Sequence, residues 1–560
     1  MPYVIGENCS TCHYCYNECP VHAIGFAGRD YAIDQSKCIE CGKCAEVCPS
    51  GIIRDTGAPA PQKHEKIFID CDVVVIGGGG AGLTAAAKLA RSSKNRVVLL
   101  EKGPKCGGNT TLAHGFAKSA KYSSMHEKAG LPDGREKFIE ELISISPELD
   151  AQLIRDAQYA LCDMCDFLFS LGGYEEYFEM FKMEHGPDAG EYIIEFPNRV
   201  GDNLKSTDHS MGPGWQTTFA VKKLEEFARG AGVTILRETA AVRLHTDEKG
   251  EICAVTARDP GGEIGIRTRA CIVATGGFSR SRELMDKLRP SFFEEAEVHS
   301  FTVASNTGDG VALVAGAGGV MDWENVRVPM FGPTHHPFHY GVVRLVEQPE
   351  TVDIDLRGRR FRNEGKMSVE VLGAMEALPG HAGWAILDSN TAEIMGKRLV
   401  ETASDPVVRR GFESWREQLE EETTFDLAAK KADTLEELAE LIGVPAGEFM
   451  DEMNRYNAFC EKGEDADFGK DRSQLVPLVK APFYACYLSR FNETTMGGIL
   501  NDTNLNAVRA DGSSIESLFV AGDCCRGLVT QDFMNKFGDC AWAMASGYLC
   551  AENAIEFLAQ

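Results

Sequence analysis

The sequence predicts a multidomain protein that combines α/β and α+β architecture. Three observations support this prediction. The chain has 560 residues, which is more than one hydrophobic core usually organises. One cysteine pattern occurs twice within the first 48 residues. A strand, a glycine-rich turn, a helix and a second strand then follow one another between Ile67 and Leu100, as in a parallel βαβ unit.

The repeated cysteine pattern is C-x2-C-x2-C-x3-C-P, at residues 9–20 and 38–49. Bacterial two-cluster ferredoxins have this spacing, in which three cysteines of each run bind one [4Fe-4S] cluster and the fourth binds the other. The predicted ligand sets are Cys9, Cys12, Cys15 and Cys48 for one cluster, and Cys19, Cys38, Cys41 and Cys44 for the second. Structural zinc and disulfides are the alternatives, but two interleaved quartets, each followed by proline, fit neither.

The glycine-rich turn has the pattern G-x-G-x-x-G at Gly77, Gly79 and Gly82. It follows a predicted buried strand, Ile67–Ile76, and Glu101 ends the next predicted strand. In such a unit the glycines permit a tight turn, close approach of a pyrophosphate and close helix–strand packing, and the acidic residue binds ribose hydroxyls. The pattern therefore predicts a dinucleotide site.

Changes in composition along the chain predict where its domains begin and end. Residues 56–61 are rich in proline and alanine and precede a polar stretch, which is typical of a linker. From about Trp323 to Ala481 the sequence is aromatic and charged, and afterwards it returns to strand, glycine turn and helix. The predicted boundaries are 1–55 for the ferredoxin-like domain, 56–69 for the linker, 70–325 and 491–560 for the two parts of the nucleotide-binding domain, and 326–490 for an inserted domain.

The bulk composition excludes some classes of function. The formal net charge is -27 at pH 7, and such a chain repels nucleic acid. Iron–sulfur ligands have to remain thiolates, so the cysteine pattern implies a reducing compartment. The first residues lack the charged and apolar regions of a signal peptide, and no apolar run of membrane-spanning length lacks glycine turns. We therefore expect a cytoplasmic protein.

The residues after the second predicted strand, Glu101–Thr111, read EKGPKCGGNTT. This string resembles the FAD-binding signature of the fumarate reductase and succinate dehydrogenase flavoproteins. Further motifs of that family follow in the family's order: Ala274–Gly277, Asn306–Gly310, Arg360–Glu364, Lys431–Leu435, Pro482–Tyr484, Thr495–Gly498 and Ala521–Asp523. The resemblance implies a Rossmann-type FAD-binding domain and an inserted, mobile capping domain.

The resemblance also implies which residues bind FAD. Glu101 would hold the adenosine ribose, and Asp523 the ribityl chain. Val242 would contact the adenine edge, and Ala541 would lie under the pyrimidine ring. Membrane-bound members attach the flavin to a histidine where this chain has Asn109, so we expect non-covalent FAD. The full predicted set is Gly77, Gly79, Gly80, Ala81, Gly82, Glu101, Lys102, Gly108, Asn109, Thr110, Val242, Ala274, Thr275, Gly276, Asp309, Gly522, Asp523 and Ala541.

The source of electrons follows from what the sequence lacks. A second G-x-G-x-x-G pattern between a predicted strand and a predicted helix is not found in the sequence. The glycine-rich run Gly316–Gly319 is interpreted as the end of a helix. NAD(P)H is therefore not expected as the direct donor. We expect a ferredoxin, a flavodoxin or another redox protein to reduce the predicted clusters, and the sequence is compatible with a homo-oligomer.

Positions that bind substrate carboxylates in soluble fumarate reductases are altered here. The resemblance places Gly332 and Thr494 where the family has histidine, and it places Ser368 and Lys536 where the family has arginine. A lysine lacks the planar fork with which arginine binds a carboxylate. Loss of the partner of a buried charge costs several kcal/mol, so we expect fumarate to be a poor substrate.

A reductase of this class needs an acid that protonates the substrate carbon. The candidates are Lys536, which the resemblance places near the flavin, and His335, His336 and Tyr340, which follow the altered Gly332 motif. The histidine cluster has a simpler interpretation as a surface loop or an opportunistic metal site.

Together these features predict a flavoprotein of the fumarate reductase class. Electrons would pass from an external donor through two [4Fe-4S] clusters to FAD, and as hydride to an activated C=C bond of an enoate or enone. One rival hypothesis is the reverse reaction, desaturation of a ketone or a steroid-like substrate. Another is an electron-transfer subunit whose substrate site is vestigial.

Overall fold

The computed structural model describes residues 3–12, 14–27, 30–59, 61–113, 119–172, 179–182, 192–195, 215–290, 298–328, 330–331, 340–366, 374–375, 377–402, 412–424, 428–492 and 494–560. Helices of these residues are α1 (Tyr14–Asn17), α2 (Lys43–Val47), α3 (Gly80–Ser92), α4 (Ser124–Lys128), α5 (Arg135–Ile145), α6 (Ala151–Ser170), α7 (Trp215–Gly230), α8 (Arg282–Leu288), α9 (Asp309–Gly316), α10 (Tyr340–Val346), α11 (Ser389–Thr402), α12 (Trp415–Thr424), α13 (Leu435–Ile442), α14 (Ala446–Lys462), α15 (Gln531–Phe537) and α16 (Asp539–Ala559).

Strands of the same residues are β1 (Tyr3–Ile5), β2 (Ile24–Ala27), β3 (Asp30–Ile33), β4 (Ile53–Asp55), β5 (Ile67–Asp70), β6 (Val73–Ile76), β7 (Val97–Leu100), β8 (Glu179–Lys182), β9 (Tyr192–Glu195), β10 (Thr234–Leu236), β11 (Ala240–Thr246), β12 (Ile252–Arg258), β13 (Glu263–Arg267), β14 (Ala270–Val273), β15 (Val298–Ser300), β16 (Met330–Phe331), β17 (Val352–Asp355), β18 (Gly383–Asp388), β19 (Ala429–Ala432), β20 (Phe483–Leu488), β21 (Arg490–Asn492), β22 (Asn506–Val508) and β23 (Ser514–Val520). Within the described residues, no helix is both long and apolar enough to cross a membrane.

The central sheet has the strand order β10-β7-β6-β14-β23-β22. All neighbours pair in parallel except β22, which is antiparallel to β23. Strands β6, β7 and β14 are buried at every residue, as expected for parallel strands that are covered on both faces. The predicted βαβ unit is β6, α3 and β7, so the mixed α/β architecture is confirmed.

The prediction of one buried strand over Ile67–Ile76 is wrong. The structure divides this run into β5 and β6, which belong to different sheets. Strand β5 lies at the edge of the sheet β11-β12-β13-β5, where Phe68 is 77% exposed. Between the two strands, Asp72 accepts a hydrogen bond from the Arg96 N–H at 2.7 Å. An apolar run alone does not show where a chain passes from one sheet to the next.

Helices α3 and α16 cross at very close range. A Cβ atom on Gly547 of α16 would lie 2.2 Å from the Ala81 carbonyl oxygen of α3. Only glycine fits at such a contact. The contact holds the amino end of α3, which follows the glycine-rich turn, against the C-terminal helix of the chain.

A second structural unit lies between β16 and β22 in the sequence. Its antiparallel sheet has the order β17-β18-β20-β19, and helices α10 to α14 belong to the same stretch of chain. Thr434 is the N-cap of α13, because its Oγ1 accepts a hydrogen bond from the Glu437 N–H at 3.1 Å.

A buried network of charged side chains holds this second unit together. Arg360 donates to Glu364 at 2.8 Å and to Asp465 at 3.1 Å, and Lys470 lies 3.2 Å from Glu364. None of these side chains is exposed. Burial opposes ionisation of Glu364, but Lys470 and Arg360 outweigh it and hold the pKa of this carboxyl below its ordinary value. The network is therefore ionised and paired.

Replacing Arg360 with methionine should strongly destabilise the protein. It leaves Glu364 and Asp465 buried without their main partner, which typically costs about 3–5 kcal/mol. The control is Arg359→Met, because Arg359 bonds Glu448 at 2.7 Å in an ion pair whose side chains are 57% and 44% exposed, and such pairs contribute about 1 kcal/mol or less. Urea denaturation of both variants measures the difference. Equal losses would contradict the structural role of the network.

Candidate functional site

A cavity lies at the carboxyl ends of β6, β7 and β14. This is where nucleotide ligands bind in open parallel sheets. Fifteen of the eighteen predicted FAD residues line it: Gly77, Gly79, Gly80, Ala81, Glu101, Lys102, Gly108, Asn109, Thr110, Ala274, Thr275, Gly276, Asp309, Gly522 and Asp523. We call it the nucleotide cavity.

The glycine-rich turn leaves no room for side chains. Gly77 has a φ of 108°, and a Cβ atom there would lie 2.2 Å from the Ala274 carbonyl oxygen. A Cβ atom on Gly82 would lie 1.9 Å from the Gly77 oxygen. Gly79 is the N-cap of α3 and has no side chain to cap the helix. The Gly80 N–H donates to Thr110 Oγ1 at 3.1 Å, so the N–H groups of Ala81 and Gly82 are the ones that an anion in the nucleotide cavity would use. This cradle fits a pyrophosphate.

Glu101 is held in place by the backbone of two loops. One carboxylate oxygen accepts a hydrogen bond from the Gly78 N–H at 2.8 Å, and the other accepts from the Gly103 N–H at 2.6 Å. Burial raises the pKa of this carboxyl, although both hydrogen bonds oppose the shift. Each oxygen keeps a second lone pair, so Glu101 can still accept hydrogen bonds from ribose hydroxyls.

Asp523 is a partly buried acid on the wall of the nucleotide cavity. Burial, and then the charge of Asp539, raise the pKa of its carboxyl to about 7. Thr494 Oγ1 donates a hydrogen bond to Asp523 Oδ2 at 3.0 Å. The threonine that replaces the family's histidine is therefore bonded to the residue predicted to contact the ribityl chain.

Three predicted FAD residues do not line the nucleotide cavity. Gly82 lies behind the turn, where its role is helix packing. Val242 sits at an irregularity in the pairing of β11 with β12 and is 45% exposed, whereas its neighbour Ala241 lines the cavity. Ala541 is buried in α16, and Ala543 lines the cavity in its place. A sequence pattern does not reveal a strand irregularity or which face of a buried helix meets a ligand.

The structure describes the positions of two of the four predicted proton donors, Lys536 and Tyr340. Lys536 on α15 does not line the nucleotide cavity; its Nζ lies 2.9 Å from Glu141 Oε1 and 5.9 Å from the centre of the Phe138 ring. Tyr340 begins α10. His335 and His336 lie outside the described residues.

Sequence reasoning missed several residues of the cavity wall. Asn306 and Val303 line the nucleotide cavity, and Asn306 Oδ1 accepts a hydrogen bond from the Ser279 N–H at 2.9 Å. Asn306 is the first residue of the motif Asn306–Gly310. The motif therefore pointed to this residue, although Asn306 was not assigned to the FAD site. Val303 had no such signal.

The predicted cysteine quartets line two separate small cavities. Cys9, Cys12, Cys15 and Cys48 line one, which we call the inner quartet. Cys19, Cys38, Cys41 and Cys44 line the other, the outer quartet. Burial, and then neighbouring thiols, raise the pKa of Cys12 and of Cys15 well above its ordinary value. Binding of iron therefore has to displace protons from these sulfurs, as four converging thiols around a cavity allow.

Comparison with known proteins agrees with both sites. The sequence profile of the family described as FAD binding domain matches residues 72–532, and that of the 4Fe-4S dicluster domain matches residues 8–52. The first match covers most of the chain. The protein belongs to the FAD-binding-domain family. Its cofactors are FAD and two [4Fe-4S] clusters, and we refer to it below as the flavoprotein.

Individual relatives of the flavoprotein are distant. NADH:fumarate oxidoreductase of Klebsiella pneumoniae is 25% identical over 471 residues, which are 82% of this chain but only 44% of that protein. Vinyl phenol reductase of Lactiplantibacillus plantarum is 26% identical over 506 residues, which are 87% of this chain and 97% of that protein. An open conformation of a flavocytochrome c3 fumarate reductase superposes with a TM-score of 0.67 at 22% identity and covers 88% of this chain and 79% of that one. This last similarity shows a shared fold.

Substitution of Gly82 by alanine should prevent most of the protein from binding FAD in the nucleotide cavity. The added Cβ atom would collide with the Gly77 oxygen at 1.9 Å and spread the turn that cradles the pyrophosphate. We expect most of the FAD to be lost, measured as flavin absorbance per chain after gel filtration. The control is Gly230→Ala at the end of α7, where a Cβ atom meets nothing within 4 Å. Retention of FAD in the Gly82 variant, with unchanged helix content by circular dichroism, would contradict the cradle.

The raised pKa of Asp523 predicts how pH changes the stability of the FAD-free protein. The folded state holds this proton up to about pH 7, whereas an unfolded aspartate releases it near pH 3.9. Stability should therefore decline as the pH rises from about 4 to 7. Over this range the free energy of unfolding should fall by up to about 4 kcal/mol, at about 1.4 kcal/mol per pK unit. In the Asp523→Asn variant we expect this decline to be absent. Urea titrations between pH 4 and 8 measure both slopes, and identical slopes would contradict the assignment.

Proposed function

We propose that the flavoprotein reduces an activated carbon–carbon double bond with electrons that an external protein donor supplies through the two [4Fe-4S] clusters. The observation that carries this proposal is the position of the inner quartet beside the nucleotide cavity. Cys12 belongs to one buried cluster with Leu112, Phe301 and Val303, and Val303 also lines the nucleotide cavity. A ferredoxin or a flavodoxin in the cytoplasm is the proposed donor.

The residues of the chain have distinct tasks in this reaction. FAD, when bound, supplies hydride chemistry. The glycine-rich turn and Glu101 hold its nucleotide portion, and Thr494 orients Asp523 toward the rest of the cavity. The proposed proton donors are Lys536, His335, His336 and Tyr340. Residues 326–490 are proposed to form a mobile cap that excludes water from the substrate.

The electrostatics of the described residues favour a substrate that is not a dicarboxylate. Lys536 stands where the family has an arginine, and Glu141 already neutralises it at 2.9 Å. Thr494 is neutral and donates to Asp523. An enone or a vinyl-substituted aromatic suits these residues better than fumarate, and a vinyl phenol reductase is among the relatives that the chain covers almost completely.

Rapid mixing tests this proposal. The photoreduced flavoprotein is mixed without oxygen with 2-cyclohexenone, 4-vinylphenol, acrylate or fumarate, and the return of flavin absorbance is followed. We expect reoxidation at least about 10-fold faster by the best uncharged alkene than by fumarate, because Thr494 and Lys536, the described residues at the family's carboxylate-binding positions, lack the fork of an arginine. Fastest reoxidation by fumarate would contradict the proposal. Failure of every alkene, with electron transfer to a partner intact, would instead favour an electron-transfer subunit.

The role of Lys536 is tested in the same experiment. A general acid typically contributes about 100-fold or more to rate, so Lys536→Met should slow flavin reoxidation by that factor at unchanged flavin content. The control is Lys249→Met, because Lys249 is exposed in the turn between β11 and β12. An unchanged rate in the Lys536→Met variant would contradict Lys536 as the proton donor and leave His335, His336 and Tyr340 as the candidates.

A further inference from the structure

We infer that the two clusters act in a fixed order, in which the inner quartet exchanges electrons with FAD and the outer quartet receives them from the donor. This inference rests on the proposed function and adds the order of transfer and the segment of chain that carries it. We call that segment, Phe301–Val303, the junction.

The junction is a wall shared by two sites. On one side, Phe301, Val303 and Leu112 belong to one buried cluster with Cys12, a ligand of the inner quartet. On the other side, Val303 lines the nucleotide cavity. One buried cluster therefore reaches from a sulfur ligand to the wall of the cofactor site, and Val303 is only 3% exposed.

Hydrogen bonds fix the junction from both sides. Ser10, which lies between the inner ligands Cys9 and Cys12, donates its hydroxyl to the Thr302 carbonyl at 2.6 Å. Asn109 accepts a hydrogen bond from the Val303 N–H at 2.9 Å, and Asn109 itself lines the nucleotide cavity. The two bonds hold consecutive junction residues, so the spacing between the inner quartet and the cavity is set by the fold.

The outer quartet is oriented toward solvent. Cys41 is exposed, and Cys19, Cys38 and Cys44 are partly exposed, whereas three of the four inner ligands are buried. Ile39, between two outer ligands, is 59% exposed. The exposed ligands are the ones that an external electron donor can approach most closely. Solvent exposure also tunes cluster potential, so the two quartets give their clusters different redox environments.

The electron balance of this order is simple. A one-electron carrier protein is oxidised by one electron at the outer quartet, and that electron moves to the inner quartet and across the junction. Two such electrons and one proton would complete the reduction of bound FAD, which would supply hydride to one carbon of the alkene, while a protein acid would supply a second proton to the other carbon. No oxidant or reductant is needed beyond the carrier protein and the alkene.

Removal of one ligand from each quartet tests the order in the full-length holoprotein. The variants are Cys12→Ala and Cys41→Ala, mixed with a reduced two-cluster bacterial ferredoxin. Electron paramagnetic resonance reports each reduced cluster, and absorbance reports the flavin. In Cys12→Ala, we expect the outer cluster to be reduced at the wild-type rate but flavin reduction to slow at least 10-fold. In Cys41→Ala, we expect reduction of the inner cluster itself to slow at least 10-fold.

The junction is tested without touching any cluster ligand. Val303→Gly should slow flavin reduction by already reduced clusters at least 3-fold at unchanged iron and FAD content, because it opens a gap in the shared wall. Val444→Gly is the control, since Val444 is also buried but lies in the second structural unit.

The outcomes separate two kinds of failure. If Cys12→Ala blocks reduction of the outer cluster, or Val303→Gly reduces flavin as fast as Val444→Gly, the proposed order or junction is overturned. If both cysteine variants reduce flavin at the wild-type rate, the clusters do not supply FAD, and the proposed function fails with the inference.

Discussion

The buried cluster that contains both Cys12 and Val303 is the interaction on which the coupling of the two cofactor sites depends. Two cofactor sites that fold from separate parts of the sequence can exchange electrons only if they share a thin and rigid wall. The flavoprotein builds that wall from residues of neither motif, and it secures the wall through Ser10 on one side and Asn109 on the other. An asparagine suits this position because its carboxamide accepts a backbone hydrogen bond.

Both cofactor sites contain groups whose ionisation is opposed by burial. Burial raises the pKa of the Asp523 carboxyl to about 7 and that of the Cys12 thiol well above its ordinary value. These groups are costly to ionise until a ligand replaces their lost water contacts. Binding of iron and FAD therefore contributes directly to the stability of the fold. The buried Arg360 network is different, because its charges are already paired within the chain.

The sequence could predict the features that depend on short spacings. The cysteine runs and the glycine-rich turn fix their geometry within a few residues, and the structure groups them as those patterns indicate. Features that depend on distant pairing could not be predicted. The irregularity at Val242 arises from the pairing of β11 with β12, and the break after β5 arises from a change of sheet. The order of the two quartets depends on where a separate segment, Phe301–Val303, packs.

Two of the four altered substrate positions, Thr494 and Lys536, have partners in the structure, and this changes how these two are interpreted. Gly332 and Ser368 lie outside the described residues. The replacement of histidine by Thr494 at first indicates only a lost ligand for a carboxylate. In the structure, Thr494 donates to Asp523, and Lys536 is paired with Glu141. Each replacement is thus used for an internal contact, and returning arginine at position 536 would still leave Glu141 competing for its charge. A change toward dicarboxylate substrates therefore requires the partner and the replaced residue to change together, which is a non-additive effect between residues in contact.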